Sequence, residues 1–212
     1  MTFRPEFLTY EDVRAETDEF LREYHPKGTY PVPIEEIVEF DLSMDVIPLD
    51  GLKADVGVDA FLTNDGDTIY IDEWVVKHAH VRFRFSLAHE AAHYWLHDAL
   101  YQECSIQSVG DWLAVQAAIG EDGYKWFEWQ ANSFAGLVLV PGDLLASAFG
   151  SVADRLLREG IQPRQIDHHP TRAAVIRELS RQFVVSEQTM EIRLERDGLL
   201  AEVTPDLLQK RI

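Results

Sequence analysis

The apolar positions along this chain fall into a few readable periods. Residues 10–24 set Val13, Phe20 and Leu21 among acidic residues and Arg, which predicts an amphipathic helix. His25-Pro26-Lys27-Gly28 ends it. After the extended Tyr30-Pro31-Val32-Pro33, residues 34–40 predict a short amphipathic helix. Residues 45–49, 57–63 and 68–72 read as β-rich, and Asn64-Asp65-Gly66-Asp67 between the last two is a hairpin signal. Residues 74–80 and 82–98 predict helices. Residues 101–123 are the least regular: 112–118 suggest one or two helical turns, and Gly120-Glu121-Asp122-Gly123 a loop. Residues 124–140 carry Trp126, Phe127, Ala131, Phe134, Ala135, Leu137 and Val138 on more than one face, so this helix should be buried; Pro141-Gly142 stops it. A short helix at 143–149, a boundary at Gly150-Ser151, and helices at 152–159, 170–183 and 186–196 complete the chain. The pattern predicts an α+β protein. Residues 1–149 form a mainly helical domain with a small antiparallel sheet, and residues 150–212 a second, helical domain.

One helix carries unusual chemistry. Phe85-Ser86-Leu87-Ala88-His89-Glu90-Ala91-Ala92-His93-Tyr94-Trp95-Leu96-His97 contains His-Glu-x-x-His. Residues four apart share a helix face, so His89 and His93 can aim ring nitrogens at one ion. Glu90 then sits beside the metal rather than on it, placed to take a proton from a water held there. Helix formers surround the motif and no Pro or Gly interrupts it.

Composition narrows the field. The chain has 212 residues and a formal net charge of −18. From Gly150 to Ile212 basic and acidic residues balance at ten each, so the acidic excess lies in the first domain. Such a body repels nucleic acid and anionic membrane surfaces and suits a basic protein partner, or is simply well solvated. The apolar runs are too short to span a bilayer, and no leader segment is visible at Met1. With the single cysteine, Cys104, this gives a cytoplasmic expectation.

A catalytic zinc site needs a third protein ligand and an open position. His97 lies about 12 Å along a continuous helix from His89, too far to share the ion. His97 therefore reads as a surface or helix-end residue. Glu128 is the better candidate: it lies in an apolar helix where a carboxylate needs a partner, and two histidines with one glutamate form a known zinc set. Asn132 is one turn on, able to accept the second ring N–H of His89 or His93. Manganese or another divalent ion would suit the same donors.

Here the chain resembles a family. Phe85-Ser86-Leu87-Ala88-His89-Glu90-Ala91-Ala92-His93, then Glu128-Trp129-Gln130-Ala131-Asn132-Ser133-Phe134-Ala135 and Pro141, are similar to the paired motifs of ImmA/IrrE zinc metallopeptidases. Pro33-Ile34-Glu35-Glu36-Ile37 and the hairpin ending Ile69-Tyr70-Ile71-Asp72 fit the same likeness, which covers about residues 30–141. Leu139-Val140-Pro141 stands where the family usually has Leu-Met-Pro. The resemblance implies a zincin-like endopeptidase with one zinc on His89, His93 and Glu128, and Glu90 as general base and acid. It also implies a substrate: a helix-turn-helix transcriptional repressor, encoded nearby and cut once to relieve repression.

An extended peptide could add a strand along Thr68, Ile69, Tyr70, Ile71 and Asp72. For the oxyanion, Tyr94, Tyr124, His168, His169 and Arg172 are all candidates. Residues 183–194 resemble a helix-turn-helix, with Leu179 and Phe183 as apolar positions near the end of the first helix and Ser186 capping the second. That helix carries Glu187, Glu191 and Glu195 against Arg193 and Arg196, which argues against direct DNA contact. Two rivals stand beside the peptidase: a silent, antitoxin-like binding module that keeps zinc for stability, and a DNA-binding regulator. The presence of Glu90 argues against the first, and the acidic surface against the second. Cys104 reads as a buried apolar cysteine rather than a thiolate cap on the zinc.

Overall fold

The structure is a computed structural model and describes residues 6–162 and 169–200. Its sheet has three strands, β1 (Asp45–Leu49), β2 (Ala60–Leu62) and β3 (Thr68–Asp72), in the order β1-β3-β2. The hairpin forms as expected: β2 runs antiparallel to β3 with Phe61 opposite Tyr70. The turn between them uses Gly66 at φ +74°, where an added Cβ would meet the Tyr94 ring at 3.1 Å. β1, however, pairs with β3 in parallel, Asp45 opposite Thr68 through Leu49 opposite Asp72. The sheet is therefore mixed, which corrects the antiparallel expectation. A short helix α1 (Leu52–Val56), flanked by Gly51 and Gly57 at positive φ, carries the chain from the end of β1 towards β2. β1 can then reach the far edge of β3 pointing the same way as β3. Pro48, which has no N–H to donate, sits in the edge strand β1, where its missing bond costs little.

Two compact units emerge. The first comprises Met1–Lys27 and Pro33–Val138, and the second Gly28–Val32 and Leu139–Ile212. In the first, α2 (Tyr10–Tyr24) opens with a capping box between Thr9 and Asp12. A helical turn at Ile34–Glu36 passes into a π-helical turn, Ile37–Asp41, in place of a plain helix. Then come α3 (Glu73–His78), α4 (His80–Leu96), α5 (Asp98–Glu103), α6 (Val109–Ile119) and α7 (Glu121–Leu139). α4 packs on β2 and β3. Fully buried Phe20 meets Trp95 and Phe134 edge to face, tying α2, α4 and α7 together. The expected loop at 120–123 shrinks to Gly120 at φ +79°, because the helix already begins at Glu121.

The second unit holds α8 (Gly142–Arg158), α9 (His169–Phe183) and α10 (Glu187–Arg196). α8 is continuous through Gly150, where a boundary was expected. Its buried face, Leu145, Ala148, Phe149, Val152 and Ala153, keeps helical spacing across the glycine, which costs only about 1 kcal/mol in a helix. α9 and α10 pack against each other, with Ser186 capping α10 through the Thr189 N–H. Arg193, counted from sequence as a surface charge, is 2% exposed, and bonds the Val140 carbonyl and Asp197.

Candidate metal centre and active site

α4 presents His89, Glu90 and His93 from one stretch, and α7 presents Tyr124, Glu128 and Asn132 at one-turn intervals. Among the described residues, the two helices bring His89, His93 and Glu128 into a single cluster. Nε2 of His93 is 3.0 Å from Nε2 of His89. One Glu128 oxygen is 3.3 Å from His89 Nε2, and the other is 3.7 Å from His93 Nε2. Ligands bound at about 2.0–2.1 Å around a tetrahedral cation lie roughly 3.3 Å apart. The triangle thus fits the donor set of a catalytic zinc. Among the described residues no third histidine joins it.

The environment keeps these donors competent. Burial pushes the His93 pKa well below its ordinary value, and the neighbouring His89 and His97 add to this. A neutral ring with a free lone pair is what a metal requires. Burial also opposes charge on His89, but hydrogen bonds to Glu128 and Asn132 and the charges of Glu90 and Glu128 outweigh it and raise its pKa. Asn132 therefore supports His89, from a solvent-facing position on α7. Glu90 is 4% exposed and accepts a hydrogen bond from the Leu62 N–H of β2. Burial lifts its pKa to about 7 in the metal-free site, with Glu128 adding to the rise. A cation among the ligands draws it back down.

A cleft of about 300 Å³ opens over the cluster. Besides the cluster itself, Gly57–Ala60 leading into β2, Tyr124 of α7 and Trp112 of α6 line it. Tyr124 hydrogen-bonds Glu128; burial, then the Glu128 charge, raises its pKa, so the phenol keeps its proton. Of the oxyanion candidates among the described residues, only Tyr124 lines this cleft. Tyr94 packs against the hairpin glycine, and Arg172 bonds Glu191 and Glu195 within the second unit. His168 and the side chain of His169 lie outside the described residues.

The substrate seat read from sequence needs correction. Thr68, Ile69, Tyr70, Ile71 and Asp72 form the central strand, with both edges paired, so no peptide can add there. The free edge next to the cleft belongs to β2. Since Asp59 and Thr63 bond β3, alternation turns the backbone groups of Ala60 and Leu62 outward. The sequence also misplaced His97. It ends α4 as expected but is 5% exposed rather than at the surface, with Nδ1 3.0 Å from Nδ1 of His93 and Nε2 2.7 Å from Gln130. Its spacing from His93, four residues on one face, was the signal available. Trp112 was seen only as part of an ill-defined stretch; the Ser108-x-x-Asp111 cap that starts α6 would have located it. Cys104 is half-buried and does not line the cleft.

Comparison with known proteins agrees with this geometry. The family model described as the IrrE N-terminal-like domain, Peptidase_M78, matches residues 41–195. No curated protein matches the chain. A solved structure described as a Mycobacterium tuberculosis transcriptional regulator shares the fold at a TM-score of 0.52 and 16% identity, over 87% of this chain. The present chain spans about half of that protein, 46% of its length. With the match running through both motif helices and across the metal cluster, the chain belongs to the IrrE N-terminal-like family of M78 peptidases.

Proposed function

We propose that this protein is a zinc-dependent endopeptidase, with Glu90 as general base and acid, that cuts a helix-turn-helix transcriptional repressor. One observation carries the reading: a buried carboxylate outside the ligand set stands beside the ligand triangle, inside an open cleft. A structural metal site has no use for such a group. When bound, zinc supplies the Lewis acidity that makes water a nucleophile and polarises the scissile carbonyl. Glu90 takes the proton from the attacking water and returns it to the leaving amine. The Leu62 N–H holds the Glu90 carboxylate in place during both transfers. The protonated Tyr124 phenol donates to the oxygen that gains charge. An extended substrate lies along the outer edge of β2, next to Ala60.

The structural relative is named a transcriptional regulator. For this chain we place the link to transcription in a protein substrate rather than in DNA. The arginines facing α10 are engaged by acids: Arg172 by Glu191 and Glu195, and Arg177 by Glu187. With Arg193 buried, α10 offers a groove little positive charge. A basic repressor suits the acidic body of a chain with net charge −18, and the reading keeps the protein in the cytoplasm with its target.

Co-expression with the repressor-like protein encoded beside it tests the proposal. Intact mass should show one discrete cut made by wild type and absent with Glu90→Gln. An uncut repressor that co-purifies with both forms would replace the proposal with a binding module. A shift of random duplex at low salt would favour the DNA-binding regulator.

A further inference from the structure

A chain of buried polar groups leads away from the metal side of the site. Nδ1 of His93 is 3.0 Å from Nδ1 of His97, Nε2 of His97 is 2.7 Å from Oε1 of Gln130, and Nε2 of Gln130 is 2.7 Å from the carbonyl oxygen of Glu6. Gln130 is wholly buried, His97 is 5% exposed and His93 3%. The Phe127 ring stacks on both imidazoles, at 4.3 and 4.2 Å between centroids, and fixes their planes.

The direction of every proton in this chain follows from its far end. A backbone carbonyl only accepts, so the NH₂ of Gln130 must face Glu6 and its oxygen must face His97. That oxygen also only accepts, so His97 carries its proton on Nε2. A neutral His97 then has a bare Nδ1, and the 3.0 Å contact requires His93 to donate from its own Nδ1. The lone pair of His93 is left on Nε2, the atom that faces His89 and Glu128.

We infer that His97 and Gln130 are positioning residues that lock His93 into the metal-binding tautomer, with the Glu6 carbonyl as the fixed end of the relay. Without them, His93 could place its proton on Nε2, and each binding event would first have to move it. The inference rests on reading His89, His93 and Glu128 as metal ligands. It extends the metal site across the molecule, through a helix-end histidine and a buried amide, to the backbone of the N-terminal segment.

Zinc affinity of the 212-residue chain, measured by competition with a chromophoric chelator, tests this without reference to activity. His97→Phe keeps an aromatic ring to stack on Phe127 but removes both nitrogens. It should weaken zinc binding about 10- to 100-fold. His97→Asn puts an amide oxygen where Nδ1 was and should recover most of that loss. Equal affinity in wild type and His97→Phe overturns the inference, and so does an equal loss in His97→Phe and His97→Asn, which would mean that packing alone matters. Long-range ¹H–¹⁵N spectra of metal-free wild type read the tautomer directly, whether or not the variants fold. His93 protonated on Nδ1 is expected, and His93 protonated on Nε2 overturns the relay. A wild type that binds no zinc would instead bring down the metal-site reading and the inference with it, a result distinct from a bound wild type with an indifferent His97.

Discussion

A Glu90→Gln variant should lose about 10²–10⁴-fold in turnover while still taking up its zinc. Glutamine keeps the size of the side chain and an oxygen for the Leu62 N–H, but it cannot carry a proton between water and the leaving amine. The loss should fall on kcat with little change in KM, since the group acts only as the bond is cut. Stability offers an independent check. In the metal-free protein Glu90 titrates near 7 instead of at its ordinary 4.5, because burial penalises the charged form. A raised carboxyl pKa means that folding disfavours ionisation, so stability is lost as pH rises through the interval between the two values. Metal-free wild type and Glu90→Gln should thus be equally stable below about pH 4.5 and diverge towards pH 7, with the variant the more stable. Denaturant unfolding across that range measures the difference. A wild type that stays level with the variant would show that Glu90 is not held as described.

Removing the third ligand should have the other large effect. Glu128→Ala should weaken zinc binding on the order of 10²–10³-fold, in proportion to one ligand of a four-coordinate site. Because its side chain is 27% exposed, the substitution leaves no sealed cavity, and the metal-free fold should keep its melting temperature. Wild type should gain thermal stability when zinc is added, and the variant should gain little at the same concentration. Cleavage should fall with occupancy and return partly at high zinc. Undiminished zinc binding in Glu128→Ala would remove Glu128 from the site.

The parts of this fold that were legible in the sequence are those governed by local rules. The helix at Tyr10–Tyr24 and the strands Asp45–Leu49 and Thr68–Asp72 fall where their apolar periods put them. His89 and His93 could be read as candidate ligands because one helical turn separates them, and Glu128 because a carboxylate in an apolar helix demands a reason. What could not be read depends on partners distant in sequence. Nothing local says that β1 will cross to pair in parallel with β3, and that pairing is what removes Thr68–Asp72 as a substrate edge. Arg193 looks like any helix-surface charge until the Val140 carbonyl is brought to it. His97 looks like a helix-end residue until Gln130 arrives from α7. Gly150 looks like a boundary in sequence, but a glycine marks a break only where the apolar face breaks with it, and the face of α8 does not.

Under the proposed function, two imidazoles and one carboxylate hold a single zinc with a position left open beside Glu90. X-ray absorption at the zinc edge of the loaded protein tests it most directly. One zinc per chain is expected, with nearest neighbours of nitrogen and oxygen only at about 2.0–2.1 Å and the outer-shell signal of two histidines. Sulfur at about 2.3 Å, which would bring Cys104 into the shell, or the signal of a third histidine, would contradict it.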